Sequence, residues 1–141
     1  MPLSTAITAS ATALDAQRAR IEVAVSNIAN AESTRGPDGQ PYRRRDVVLR
    51  AEPIEPFGAA LGKAEAIGVT VNDIVEDQAP FRRRYEPAHP DADAEGFVAM
   101  PNVDVPEEMV DMLGAARAYQ ANLTAINLIR DTIQKALELG R

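Results

Sequence analysis

His89 is the single histidine of this 141-residue chain. It is the one side chain whose ordinary pKa would let it exchange protons near neutral pH. Any Ser–His–Asp arrangement would have to be built around it. It stands between Ala88 and Pro90 in "YEPAHPDADAEG", a run of turn-forming residues, and reads as an exposed, inert loop histidine. The overlapping run "DADAEG" (91–96) starts like a calcium-binding loop. Calcium needs a bidentate glutamate at position twelve of such a loop, and that place is held by Asn102, with Glu95 at position five. There is no glycine-rich phosphate loop, and Lys63 and Lys135 stand alone. Cysteine is absent, so neither a disulfide nor a thiolate is available. No catalytic site, metal or cofactor is expected.

Two arginine triplets are the remaining charged feature. Arg43–Arg45 follows Tyr42, and Arg82–Arg84 follows Phe81, each in a stretch suited to a strand. Alternation along a strand puts Arg43 and Arg45 on one face and Arg44 on the other. The formal charge of −6 argues against nucleic acid as their partner. Two readings stay open: a solvated strand face, or ion pairs to carboxylates on neighbouring subunits, for which the chain carries 21 acidic residues.

The elements that must position these residues are two long helices around a proline-rich middle. Nine of the ten prolines lie between Pro37 and Pro106, and six of the eight glycines between Gly36 and Gly96. Long helices require ends almost free of both. In residues 1–34, Ile7, Leu14, Ile21 and Ile28 recur every seven residues, with Ala11 and Val25 between them and Arg18 interrupting. That is the a/d seam of a coiled coil. In residues 104–141, Val105, Met109, Met112, Ala116 and Tyr119 begin a second seam. Leu123, Ile126, Ile133 and Leu137 continue it, and Arg130 alone breaks it. Asp104 or Val105 opens this helix, Pro106 fits its first turn, and Glu107 and Glu108 complement its dipole. Gly140 closes it. The helices are expected to pair, parallel or antiparallel.

The middle segment, 35–103, reads as turns and short strands. "GPDGQP" (36–41) is a turn, "YRRRDVVLR" and "IGVTVNDIV" are strands, "FRRRY" is a third, and "FVAMPNV" is extended. "EPIEPFGAALG" (52–62) reads as a loop. The fold class is therefore α+β, a small hairpin-rich region carried on a helical pair. Aromatics are only 4% of residues, so little apolar area is available per residue for a thick core. Alanines lie well beyond the seams, at Ala6, Ala9, Ala13, Ala16, Ala19 and Ala29, and again at Ala115, Ala118, Ala121 and Ala125. They reflect either helix propensity alone or close helix packing on several faces. No stretch approaches the roughly 18 apolar residues of a membrane span, and the start lacks the basic and apolar regions of a cleaved signal.

The residues that remain carry a resemblance. "SNIANAEST" (26–34) is similar to the N-terminal motif of the flagellar rod, hook and hook-associated axial proteins, with Ser26 and Glu32-Ser33 as departures from its common form. "RAYQANLTAINLIRDTIQKALELGR" resembles their C-terminal motif through Tyr119, Ala121, Asn122 and Leu123. The run from Tyr85 to Asn122 and the short middle segment resemble the proximal rod branch rather than distal rod or hook proteins, which carry larger inserts. The resemblance implies a subunit exported by the flagellar type III apparatus and polymerised in the periplasm into a hollow drive shaft that transmits motor torque. Implied partners are copies of itself, other proximal and distal rod subunits and the export apparatus. A coiled-coil adaptor is the competing reading.

On this reading the seam residues Ile7, Leu14, Ile21, Ile28, Met109 and Met112 face other subunits. So do Tyr119, Asn122, Leu123, Ile126 and Ile133, and, in the middle, Arg44 and Arg83. Asn27 and Asn30 are expected to hydrogen-bond a neighbouring helix and fix register, and Asn30 also suits a left-handed helix end. Two alanine-rich helices bury too little to offset chain entropy alone. The isolated subunit is therefore expected to show weak helical circular dichroism that rises on assembly. Full helicity, with melting independent of concentration, would contradict this.

Overall fold

The computed structural model describes residues 3–54 and 67–139. Leu3–Ala29 forms helix α1 and Val105–Leu139 forms helix α2. Between them β1 (Arg45–Pro53) pairs antiparallel with β2 (Ile67–Glu76), and β3 (Arg82–Tyr85) with β4 (Phe97–Met100). The α+β class expected from the pattern is the one observed. The Gly140 cap and residues 55–62 of the expected loop lie outside the described residues.

Local chemistry explains the element ends. Asp104 is the N-cap of α2: its Oδ1 accepts from the Glu107 N–H at 3.4 Å and its carbonyl from the Glu108 N–H at 3.0 Å. α1 stops at Ala29, short of residue 34. The Ala31 N–H donates to the Ile28 carbonyl in a tighter turn. The Asn30 side-chain amide donates back to the Ser26 carbonyl at 2.8 Å. Asn30 is not left-handed, since no described residue other than glycine has positive φ. The "GPDGQP" turn closes through Gly36 N–H to Gln40 O at 2.7 Å, with Gly39 at φ 78°.

β1 begins at Arg45 rather than Tyr42 and continues through Glu52 to Pro53, which pairs with Ile67 at the strand end where its missing N–H is tolerated. A bulge between Val48 and Leu49 leaves Asn72 unpaired on β2. The β3–β4 connection is braced by Asp93, whose carboxylate accepts from the Glu95 and Phe97 N–H groups and from Arg83. The Phe97 N–H bond in particular holds the Asp93 pKa below its ordinary value.

The two helices run antiparallel. Asn27, near the end of α1, meets Glu108 in the first turns of α2, while Arg18, Ile21 and Glu22 share a hollow with Tyr119 further along. Among the described residues the buried apolar side chains are few: Ala16, Ala24, Ala115, Val98, Met100, Pro101 and Val103. This departs from the expected seams. On α1, Ala11, Arg18 and Val25 face out, and Ile7, Leu14, Ile21 and Ile28 are half-buried. On α2, Met109, Ala116, Leu123, Arg130 and Leu137 face out, and the stripe turned inward is Glu108, Met112, Ala115, Tyr119, Asn122, Ile126 and Ile133. The reason is that α1 serves two neighbours, α2 and the β1–β2 hairpin. Small residues bring the backbones close, and the branched ladder residues flank that contact instead of filling it.

Gly68 marks the closest approach of hairpin to helix. A Cβ there would lie 2.9 Å from Thr12 Oγ1 and 3.2 Å from Ile54 Cγ1. The Thr12 hydroxyl cannot easily give way, because it donates to the Ala9 carbonyl at 2.8 Å and accepts from the Val69 N–H at 3.1 Å. Gly68→Ala is therefore expected to cost about 1–3 kcal/mol by overpacking. The urea midpoint of the osmolyte-stabilised chain should fall accordingly. An unchanged midpoint would mean that the hairpin does not rest on α1 at Thr12.

Candidate assembly interface

The most constrained side chain in the protein is Asn27, 1% exposed at the end of α1. Its amide nitrogen donates to the Arg45 carbonyl at 2.8 Å and to Glu108 Oε2 at 2.9 Å. Its Oδ1 accepts from the Tyr42 hydroxyl and from the Arg45 N–H, each at 2.9 Å. Two donors and two lone pairs are all that an asparagine amide offers in these directions. The Tyr42 hydroxyl has spent its one proton on Asn27, so at 3.3 Å it is Ser26 that donates to Tyr42.

Glu108 completes the junction. It is 2% exposed, and its second oxygen accepts from Arg44 Nε. Arg44 also lies 3.8 Å from Asp46. Burial alone would lower the Arg44 pKa, but the hydrogen bond and charge of Glu108 outweigh it and the net direction is upward. The first turns of α2 add the positive end of the helix dipole beside the carboxylate. No buried side-chain polar atom among the described residues lacks a partner. One cluster thus ties the end of α1, the entry to β1 and the start of α2 together.

This changes the reading of several residues. Asn27 spends its hydrogen bonds within the chain, one of them on Glu108 of α2, and has none left for a helix of another subunit. The side chains of Asn30 and Asn122 donate to carbonyls of their own helices, Ser26 and Ala118. Arg44 belongs to the buried junction. Arg83 is held by Asp93 at 2.8 Å and Glu95 at 3.3 Å, with its guanidinium 4.7 Å from the centre of the Phe97 ring. Arg43 stacks over Phe81 at 4.6 Å, and Arg45 pairs with Glu76 at 3.3 Å. The triplets therefore pair within the chain, some with near neighbours, as Arg84 with Glu86, and others across the fold, as Arg44 with Glu108. His89 accepts through Nδ1 from the Asp91 N–H, and Asp91 in turn accepts from the Thr34 hydroxyl, so the acidic loop is pinned to the segment after α1. Among the described residues no group of His, Cys, Asp or Glu is arranged to hold a metal, and no helix is long and apolar enough to cross a membrane.

A second surface was not singled out by the seam pattern. Val110 and Leu128, 68% and 66% exposed, are 18 residues apart, five full turns, so they share one face of α2. Gly114 and Ala121 lie on the same face, with Leu113 beside them. Met109, 48% exposed, lies at its edge, while Leu123, 36% exposed, is turned about 140° from Val110 and borders the inward stripe. Its signal in the sequence is helical spacing on the side of α2 opposite the seven-residue ladder.

Comparison with known proteins points in one direction. A family model described as flagella basal body rod protein matches residues 7–37, and one described as flagellar basal body rod FlgEFG protein C-terminal matches residues 94–139. The chain is 50% identical to the flagellar basal-body rod protein FlgC of Escherichia coli O157:H7, covering 92% of this chain and 91% of that one. It is 44% identical to FlgC of Bacillus subtilis strain 168, covering 94% of each. With FlgC of Borreliella burgdorferi the identity is 40%, over 99% of this chain and 98% of the relative.

The junction itself is testable. Arg44→Glu puts two carboxylates together at a largely dry site, and breaking a buried pair in this way costs about 3–5 kcal/mol. In the osmolyte-stabilised chain the variant should lose most of its folded population, read by protection of amide hydrogens in α2. Combining it with Glu108→Arg should restore part of that protection. Equal protection in parent and single variant would show that the pair does not hold the helices.

Proposed function

The chain belongs to the flagellar basal-body rod protein family, and from that premise we propose how it serves in the rod. It is a structural subunit of the bacterial flagellar basal body rod. The proposal is that it occupies the proximal rod, between copies of itself and other proximal and distal rod subunits. It reaches the periplasm through the flagellar type III export apparatus and carries motor torque as part of the shaft. It does so without catalysis, cofactor or nucleic acid.

The observation that carries the assembly reading is Gly114. A glycine inside a helix costs roughly 1 kcal/mol relative to alanine. Its missing Cβ would meet nothing within 4 Å, so the protomer gains nothing locally for that cost. Val110, Leu113 and Leu128 stand exposed around it. A neighbouring helix lying across Gly114 explains both, because interaxial distance is set by the side chains at the crossing. The half-buried ladders Ile7, Leu14, Ile21 and Ile28, and Met112, Tyr119, Ile126 and Ile133, offer further partly open apolar surface to the same kind of neighbour. The exposed Met109 and Leu123 extend it.

Gly114→Leu and Val110→Asp should leave export intact and prevent incorporation. Subunit should be found in the periplasm, at least roughly tenfold depleted from purified basal bodies, the loss expected for a buried charge or a steric block. Glu138→Lys, on the exposed end of α2, should incorporate as the parent does. Normal incorporation of both variants would remove this face of α2 from the rod interface.

A further inference from the structure

We infer that Asn27 and Glu108 set the register between α1 and α2, choosing one pairing among several that the apolar residues leave nearly equivalent. The apolar residues that flank the helix contact are repetitive on both sides. Half-buried side chains recur every seven residues on α1, at Ile7, Leu14, Ile21 and Ile28, and every seven on α2, at Met112, Tyr119, Ile126 and Ile133. The buried apolar positions of the two helices are alanines, Ala16 and Ala24 on α1 and Ala115 on α2, which present little relief. Sliding one helix by seven residues, about 10 Å, brings each ladder residue onto an equivalent one. Only contacts at the ends are lost.

The polar junction is not periodic. Glu108 sits in the dry junction, and its two oxygens are satisfied only where Asn27 and Arg44 both reach it. In a slipped pairing Glu108 keeps its burial or its partners, not both, and a lost hydrogen bond to a buried charge costs more than one between neutral groups. The middle segment enters the same selection. Asn27 is oriented by the backbone N–H and carbonyl of Arg45 and by the Tyr42 hydroxyl, so the native register is recognised only once residues 42–45 have docked on α1. Helix pairing and docking of the middle segment become one event, and the long helices are kept from locking out of register before it. A single polar pair at an apolar helix interface is the best-attested device for this kind of discrimination.

The chain has no cysteine, so register can be read by engineered disulfides in the full-length protein. Ile21→Cys with Tyr119→Cys reports the native pairing, since these residues share one hollow. Ile21→Cys with Met112→Cys or with Ile126→Cys reports a slip of one heptad in either direction. Ile21→Cys with Arg117→Cys reports disorder, because Arg117 is exposed on the far side of α2. Intrachain products are separated from interchain ones by mobility on non-reducing gels, for the osmolyte-stabilised subunit and for basal bodies alike. In the parent only the native pair should close efficiently. In the doubly apolar variant Asn27→Leu, Glu108→Met, the ratio of slipped to native product should rise at least roughly tenfold, as loss of more than one such hydrogen bond implies. The Arg117 pair should stay low. A ratio unchanged from the parent overturns the inference, since a cluster that merely stabilises would reduce all products together. So does an Arg117 product rising in step with the slipped ones, because the variant would then be unfolded instead of shifted.

Discussion

A carboxylate buried at the start of α2 governs how this chain is put together. Glu108 is 2% exposed, and a carboxylate taken out of water without partners is costly, because its desolvation outweighs any single neutral contact. Its two oxygens are met by Asn27 from the end of α1 and by Arg44 from the entry to β1. Those three residues come from the three parts of the chain. Satisfying one acid therefore fixes where the middle segment sits on the helical pair and where the two helices cross.

The rest of the architecture is economical by comparison. Nearly half of the buried apolar set is alanine, and the hydrophobic term scales with area removed from water. Alanine contributes little of that area, but it lets α1 approach α2 on one side and the β1–β2 hairpin on another. Close approach has its own consequences, seen where Gly68 lies beside the Thr12 hydroxyl. A thin core with tight backbones holds its shape through polar fit more than through bulk. This explains why every buried polar side chain among the described residues is partnered.

The outer faces carry the apolar residues that the interior did not use. Val110, Leu113 and Leu128 stand open on α2 around a glycine that does nothing for its own protomer. This exposed apolar face is the surface proposed for association, since clustered apolar side chains on a folded protein suit a partner better than water. For a rod subunit the division of labour is natural. Polar, directional contacts define the protomer, and non-directional apolar faces are left for association.

Much was legible in the residues themselves. The absence of Pro and Gly from both ends and the seven-residue ladders gave two helices, and "GPDGQP" gave a turn, because propensity and φ restriction act within a few residues. The motifs around Asn27 and Tyr119 resembled one family, to which the chain belongs. What could not be read was which faces meet. A ladder such as Met109, Ala116 and Leu123 has the same periodicity as Met112, Tyr119 and Ile126, and only three-dimensional competition for α1 turns one row inward. The roles of Asn27 and Arg44 were hidden for the same reason. Asn27 finds Glu108 81 residues away, and Arg44 finds it 64 away. Local pattern determines which elements form. The pairing of charges and amides across such separations is decided by burial, which exists only once the tertiary structure does.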